Sequence, residues 1–196
     1  MLKSPIDNHA FLKKGYAKSA IPDLLADRLV RAFSKIEFAP LPSDHGTTKE
    51  RYVGNIEENQ GVYRLLEDFW RKLSAEDLGP LSELYRGSND RFVITLLRLG
   101  DGYHLDWHNH LSAGPTASVL LYLFSGEDVG EGGDLVLGEL GPDLKSVNET
   151  VRFKIDHGDV IMIGDASHPL LQHKAETWQG RGYRYLLSFG FNADEW

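Results

Sequence analysis

The chain has 196 residues, enough for one domain with a sizeable core and too few for two of ordinary size. Its net charge of -8, from 21 Lys and Arg against 29 Asp and Glu, disfavours nucleic acid and anionic membranes as partners, and the absence of cysteine excludes disulfides, thiolate metal ligands and a cysteine nucleophile. The opening MLKSPIDNHAFLKKGY lacks the central apolar run of a signal peptide, and no stretch is apolar over the length that spans a bilayer, so a soluble, cytoplasmic protein is expected.

The first third reads as helical. In IPDLLADRLVRAFSKI, apolar Leu24, Leu25, Leu29, Val30 and Phe33 fall close to the spacing of one buried helix face, and Asp23 after Pro22 is positioned as a cap. In GVYRLLEDFWRKLSAEDL, Val62, Leu65, Leu66, Phe69, Trp70 and Leu73 do the same. The intervening FAPLPSDHGTTKERYVGN carries the Pro, Gly and Ser of a loop or short ribbon. From Arg91 the texture changes to short β-rich runs: FVITLLRL, GYHLDWHNH, ASVLLYLF, GDLVLGEL, VRFKI, DVIMIG and YRYLLSFGF, punctuated by glycine and polar clusters as in an antiparallel sandwich or barrel. The expectation is a single domain over residues 1–196, with residues 1–90 a mainly helical support layer and residues 91–196 a β-sandwich core. Function belongs where polar side chains of that core converge.

Three of the eight histidines, His104, His108 and His110, cluster in YHLDWHNH. In a regular strand His104, Asp106, His108 and His110 share one face, and Tyr103, Leu105, Trp107 and Asn109 the other. Imidazole and carboxylate donors without thiolates suit iron, manganese, zinc or nickel. Two closely spaced ligands plus a distant histidine leave coordination positions open, and GDASHPLLQHKAETW offers His168 and His173 as that partner. His9, His45 and His157 show no such company, and His168 beside Pro169 reads as a loop residue. Trp107 and Trp178 read as core packing.

The stretch from Gly100 to Phe191 resembles the double-stranded β-helix core, a cupin-like jelly roll, of the iron(II)/2-oxoglutarate-dependent dioxygenases, particularly the prolyl-4-hydroxylase-like branch. The resemblance rests on order as much as identity. Leu105 stands three before His108, LLYLF contains Tyr122, GGDLVL supplies Gly132 and Gly133, HGDVIMIG supplies Gly158 and Asp159, and His173 is followed eleven positions on by Arg184 in RYLLSFGF. It implies iron(II) held by His108 and His173, Arg184 as the anchor of the C5 carboxylate of 2-oxoglutarate, and Tyr122 as an added hydroxyl on that carboxylate. The guanidinium suits this role through two parallel hydrogen bonds that Lys cannot reproduce. The implied reaction consumes O2, releases succinate and CO2, and hydroxylates or otherwise oxidises a small-molecule or amino-acid-type substrate.

One position departs from the family pattern, because His110 stands where the family has a carboxylate. The second ligand is then His110, giving an all-histidine site; or Asp106, on the other side of His108; or the pair is the literal HxD of His104 and Asp106. An imidazole in place of a carboxylate removes one negative charge from beside the metal. If Asp106 is not a ligand, it stands where it could accept the other ring N–H of a ligating histidine. Two rival functions follow from the same residues: a three-histidine iron dioxygenase that uses no 2-oxoglutarate, and a non-catalytic jelly-roll binding module. Arg98 is open between pocket and solvent. The loops around Asp44 to Asn59 and Ser112 to Thr116 are expected to surround the mouth of the site and select the substrate.

Overall fold

A computed structural model describes residues 2–41, 51–54, 59–76, 92–109, 117–126, 129–164 and 168–191. Helix α1 (Asn8–Lys14) is capped by the Asp7 side chain, which accepts from the Ala10 N–H at 2.9 Å, and ends at Gly15 in the left-handed conformation. Helix α2 (Asp23–Phe33) buries Ala26, Leu29 and Phe33. Two sequence expectations are corrected there. Leu24 points outward and is 79% exposed, and Asp23 caps nothing, because Pro22 holds the cap position and the Asp23 carboxylate pairs with Lys3 instead. Helix α3 (Gln60–Glu76) buries Val62, Leu66, Phe69, Trp70 and Leu73, as its spacing predicts.

Among the described residues thirteen strands run in the order β1 (Tyr16–Ala20), β2 (Phe38–Pro40), β3 (Arg51–Gly54), β4 (Phe92–Leu99), β5 (Leu105–His108), β6 (Ala117–Phe124), β7 (Val129–Gly132), β8 (Leu135–Leu140), β9 (Val147–Phe153), β10 (Asp159–Ile163), β11 (Leu171–Ala175), β12 (Trp178–Arg181) and β13 (Arg184–Phe191). A seven-stranded sheet has the order β1-β10-β6-β13-β4-β3-β2, a four-stranded sheet the order β5-β11-β8-β9, and β12 pairs with β7 as a separate ribbon. All pairings are antiparallel. The ribbon expected before α3 is present as β2 and β3. The first third contributes more than helices, since β1, β2 and β3 all join the larger sheet.

The larger sheet is covered on both faces, which is why β6 and β10 read as continuous apolar runs rather than alternating ones. Val119, Leu121, Leu187 and Phe189 face the helices and form one core with Leu29, Phe33, Leu66 and Leu73. Leu97, Leu99, Leu120, Tyr122, Ile161 and Leu186 face the smaller sheet and form a second core with Leu135 and Leu137. At the edge, β1 is pinned to β10 by Lys18, whose ammonium lies 2.6 Å from the buried Asp159 carboxylate. Among the described residues no helix is long and apolar enough to cross a membrane.

Candidate functional site

Strand β11 lies between β5 and β8 in the smaller sheet, and this puts His173 directly opposite His108. Two steps along β11, from His173 to Ala175, oppose three along β5, from His108 to Leu105, so β5 carries a bulge. A bulge breaks the alternation of side chains. Leu105 and His108 therefore both line the interior, whereas Asp106 is exposed, and the single face of four donors expected from a regular strand is not formed.

The two imidazoles stand 4.1 Å apart, centroid to centroid, with 53° between their planes. His173 is buried and His108 half-buried. The Nδ1–H of His108 donates to the backbone carbonyl of Asp106 at 2.7 Å, which sets the tautomer and presents Nε2 as the electron-pair donor. The orienting group is thus the Asp106 carbonyl and not, as the sequence suggested, its carboxylate. Among the described residues no three His, Asp or Glu side chains gather closely enough to hold a metal. His110 lies outside the described residues. His104, half-buried, has Nδ1 3.4 Å from the Gly102 carbonyl oxygen and does not line the interior.

Both imidazoles open on a cavity of about 400 Å³ between the sheets. Its wall on the larger sheet comes from one face of β4, β6 and β13, where Leu97, Leu99, Leu120, Tyr122 and Leu186 alternate inward with Arg184. Arg184 is 8% exposed. Its guanidinium sits between aromatic faces, 4.6 Å from the Phe124 ring centroid and 4.8 Å from that of Trp178, and Nη1 donates at 3.4 Å to the carbonyls of Gly132 and Gly133. Aromatic faces attract the cation without neutralising its charge. The Gly-Gly turn explains how it fits: a Cβ on Gly133 would meet Nη1 at 2.1 Å.

Tyr122 lines the same cavity. Burial first, and the neighbouring Tyr103 second, push its hydroxyl far above the usual tyrosine range, while Arg184 opposes the shift. The hydroxyl is therefore protonated at any physiological pH and available as a donor. The cavity thus holds a buried cation at one place and a pair of facing imidazoles at another, joined by a largely apolar wall.

The remaining sequence candidates resolve as follows. Arg98 faces neither the cavity nor open solvent. Its guanidinium packs on Phe38, Tyr52 and Tyr183 at 4.8, 4.6 and 4.6 Å. His157 Nδ1 accepts from the Phe124 N–H at 2.9 Å, and its ring lies outside the cavity. His168 sits in a loop against Gly15. Trp107 is half-buried with the Lys174 ammonium 5.0 Å from its ring centroid. Trp178 is core, as expected, but also lines the cavity and supports Arg184. His45, Asp44 and Ser112 to Thr116 lie outside the described residues. Sequence reasoning missed Tyr103, Asn109, Thr95 and Ser188 as cavity residues. Strand period links Thr95 to Leu97 and Ser188 to Arg184, and that signal could have found two of them.

No family model and no curated protein matches the chain. Solved structures do. An oxidoreductase of the 2OG-Fe(II) oxygenase family from Burkholderia pseudomallei aligns with a TM-score of 0.61 at 18% identity, over 95% of this chain and 89% of that one. A prolyl-4-hydroxylase from Pseudomonas putida aligns with a TM-score of 0.64 at 14% identity, over 95% and 96%. A prolyl hydroxylase from Trichoplax adhaerens, solved with a hypoxia inducible factor peptide fragment, aligns with a TM-score of 0.56 at 14% identity, over 94% and 86%. The protein therefore has the antiparallel jelly-roll fold of the 2OG-Fe(II) oxygenases, in the form found in their prolyl-4-hydroxylase-like branch.

Proposed function

We propose that this protein is a non-haem iron(II)/2-oxoglutarate-dependent oxygenase that oxidises a small-molecule or amino-acid-type substrate. The observation that carries the reading is the cavity itself, which joins paired imidazoles of His108 and His173 on the smaller sheet to a buried guanidinium on the larger one. The donor set fits a first-row metal ion: both imidazoles converge, and one tautomer is set by the Asp106 carbonyl. His108, His173 and His110 are the proposed ligands. Exposure of the Asp106 side chain favours His110 over Asp106 as the third.

In this reading Arg184 receives the C5 carboxylate of 2-oxoglutarate, and Tyr122 donates its hydroxyl to the same group. Burial of both excludes water from that pair, which strengthens a charge-assisted hydrogen bond. Leu97, Leu99, Leu120 and Leu186 keep the intervening space dry. Iron(II), when bound with 2-oxoglutarate, supplies the oxidation in which O2 is consumed, 2-oxoglutarate becomes succinate and CO2, and one oxygen atom enters the substrate.

Anaerobic titration with iron(II) and 2-oxoglutarate tests the proposal. The weak visible charge-transfer band of chelated 2-oxoglutarate is expected with the native chain and is expected to vanish in Arg184→Ala at modest cosubstrate concentration. Iron binding with no such band at any 2-oxoglutarate concentration would instead support a three-histidine dioxygenase, the second reading favoured by the absence of a carboxylate beside His108 and His173 among the described residues.

A further inference from the structure

Tyr103 lies in the turn between β4 and β5, is 5% exposed, and lines the same cavity as Arg184 and Tyr122. Backbone bonds to β12 hold this turn in place. The Tyr103 carbonyl accepts from the Trp178 N–H at 3.0 Å, the Gly102 N–H donates to the Trp178 carbonyl at 2.8 Å, and the Asp101 carboxylate accepts from the Gly180 N–H at 3.0 Å. Gly102 takes φ +78° in the turn, a conformation that a β-carbon disfavours. Both backbone polar groups of Trp178 are thus tied to the turn that carries Tyr103, while its indole ring lies 4.8 Å from the Arg184 guanidinium. One residue seats the cation with its ring and the tyrosine with its backbone.

Tyr103 and Tyr122 belong to the same core, and the two phenols sense each other. After burial, Tyr103 is the largest influence raising the Tyr122 hydroxyl, and Arg184 acts on that same hydroxyl in the opposite direction. Two phenols and one guanidinium therefore border one region of the cavity.

The donors of that region match a single ligand group. An ionised carboxylate offers about four lone-pair positions and no donor of its own. A guanidinium fork fills two of them through parallel hydrogen bonds, and the Tyr122 hydroxyl fills a third. We propose that Tyr103 fills the fourth, donating its hydroxyl to the same distal carboxylate as Arg184 and Tyr122, so that three side chains select a dicarboxylate over an oxo acid with an uncharged far end. A carboxamide there would turn its own N–H groups toward donors, and a methyl group would leave the cation and both hydroxyls without an acceptor. The proposal rests on the reading of Arg184 as the anchor of 2-oxoglutarate and adds Tyr103 to that anchor.

The test is anaerobic titration of the full chain loaded with iron(II), reading the visible band of the bound oxo acid, with 2-oxoglutarate and 2-oxobutyrate as ligands. The second has the same chelating end and no distal carboxylate. Tyr103→Phe keeps the buried ring and removes only its oxygen. This variant is expected to bind 2-oxoglutarate roughly tenfold or more weakly, the loss of one hydrogen bond to a charged group, with 2-oxobutyrate affinity, iron(II) affinity and melting temperature unchanged. Native affinity for 2-oxoglutarate in Tyr103→Phe would overturn the assignment. So would an equal loss for both oxo acids, which is what a purely structural role of the hydroxyl produces. A native chain that shows no band with 2-oxoglutarate sinks the cosubstrate reading and this assignment with it, and that result is told apart because it is seen before any residue is substituted.

Discussion

Replacing Gly133 by alanine tests the proposed role of Arg184 without substituting the arginine itself. The residue has φ +71°, and a Cβ there would lie 2.1 Å from Arg184 Nη1 and 3.0 Å from Trp178 Cβ. An L residue in the left-handed region costs about 1–2 kcal/mol, which for a domain of this size lowers the melting temperature by roughly 2–8 °C. Nη1 is the far end of a flexible side chain, so it yields and leaves its seat between Phe124 and Trp178. The bond it was to make with a carboxylate then goes too, about 1.5–3 kcal/mol or roughly 10- to 150-fold in 2-oxoglutarate affinity. The control is Gly126→Ala, where φ is +69° and a Cβ would meet no heavy atom of the described residues within 4 Å. Both variants are expected to lose similar stability by thermal denaturation, and only Gly133→Ala to lose cosubstrate affinity by anaerobic titration. Native affinity in Gly133→Ala, alongside the expected loss of stability, would refute the assignment of the guanidinium as clamp.

Asp106→Ala is expected to keep iron affinity within a few-fold, because the carbonyl and not the carboxylate holds His108; a loss of ~10-fold or more, measured by metal competition, would make the carboxylate a ligand or an orienting group. Asp159→Ala is expected to destabilise by about 2–4 kcal/mol in chemical denaturation, since the buried carboxylate pairs with Lys18 and accepts from the Asp156 N–H; Asp159→Asn keeps hydrogen-bonding capacity and loses less. Glu176 titrates below the ordinary glutamate value of 4.5, chiefly through its hydrogen bond with Arg152. A depressed folded value means its contribution is complete above 4.5 and disappears as pH falls through the lower folded value. Thermal melts should therefore show Glu176→Gln less stable than the native chain near neutral pH and equal to it in strong acid, and a constant difference would remove the ion pair as the cause.

The bounds of β4 and β6 coincide with the apolar runs FVITLLRL and ASVLLYLF, and α3 follows its apolar face, because each is decided by side-chain period over neighbouring residues. Strands β7, β11 and β12 escaped notice. LQHKA and WQGR are short and polar, and they are strands because β8 and β7 supply their hydrogen-bond partners. The same holds for β1, whose YAKSA shows no period and is held by β10 and by the Lys18–Asp159 pair.

His108, Tyr122, Gly133, His173 and Arg184, singled out by their order along the chain, all line one cavity, since the strand order of a jelly roll dictates which of them meet. The β5 bulge was not legible. It depends on how three residues of β5 are accommodated against two of β11, and a register is a property of two strands and of neither alone. That bulge turned Asp106 outward and Leu105 inward. Likewise the residues of YRYLLSFGF do not by themselves decide whether Arg184 meets water or a cavity. Only the packed sheets, by closing Phe124, Trp178 and the Gly-Gly carbonyls around it, bury its charge and aim it into a cavity.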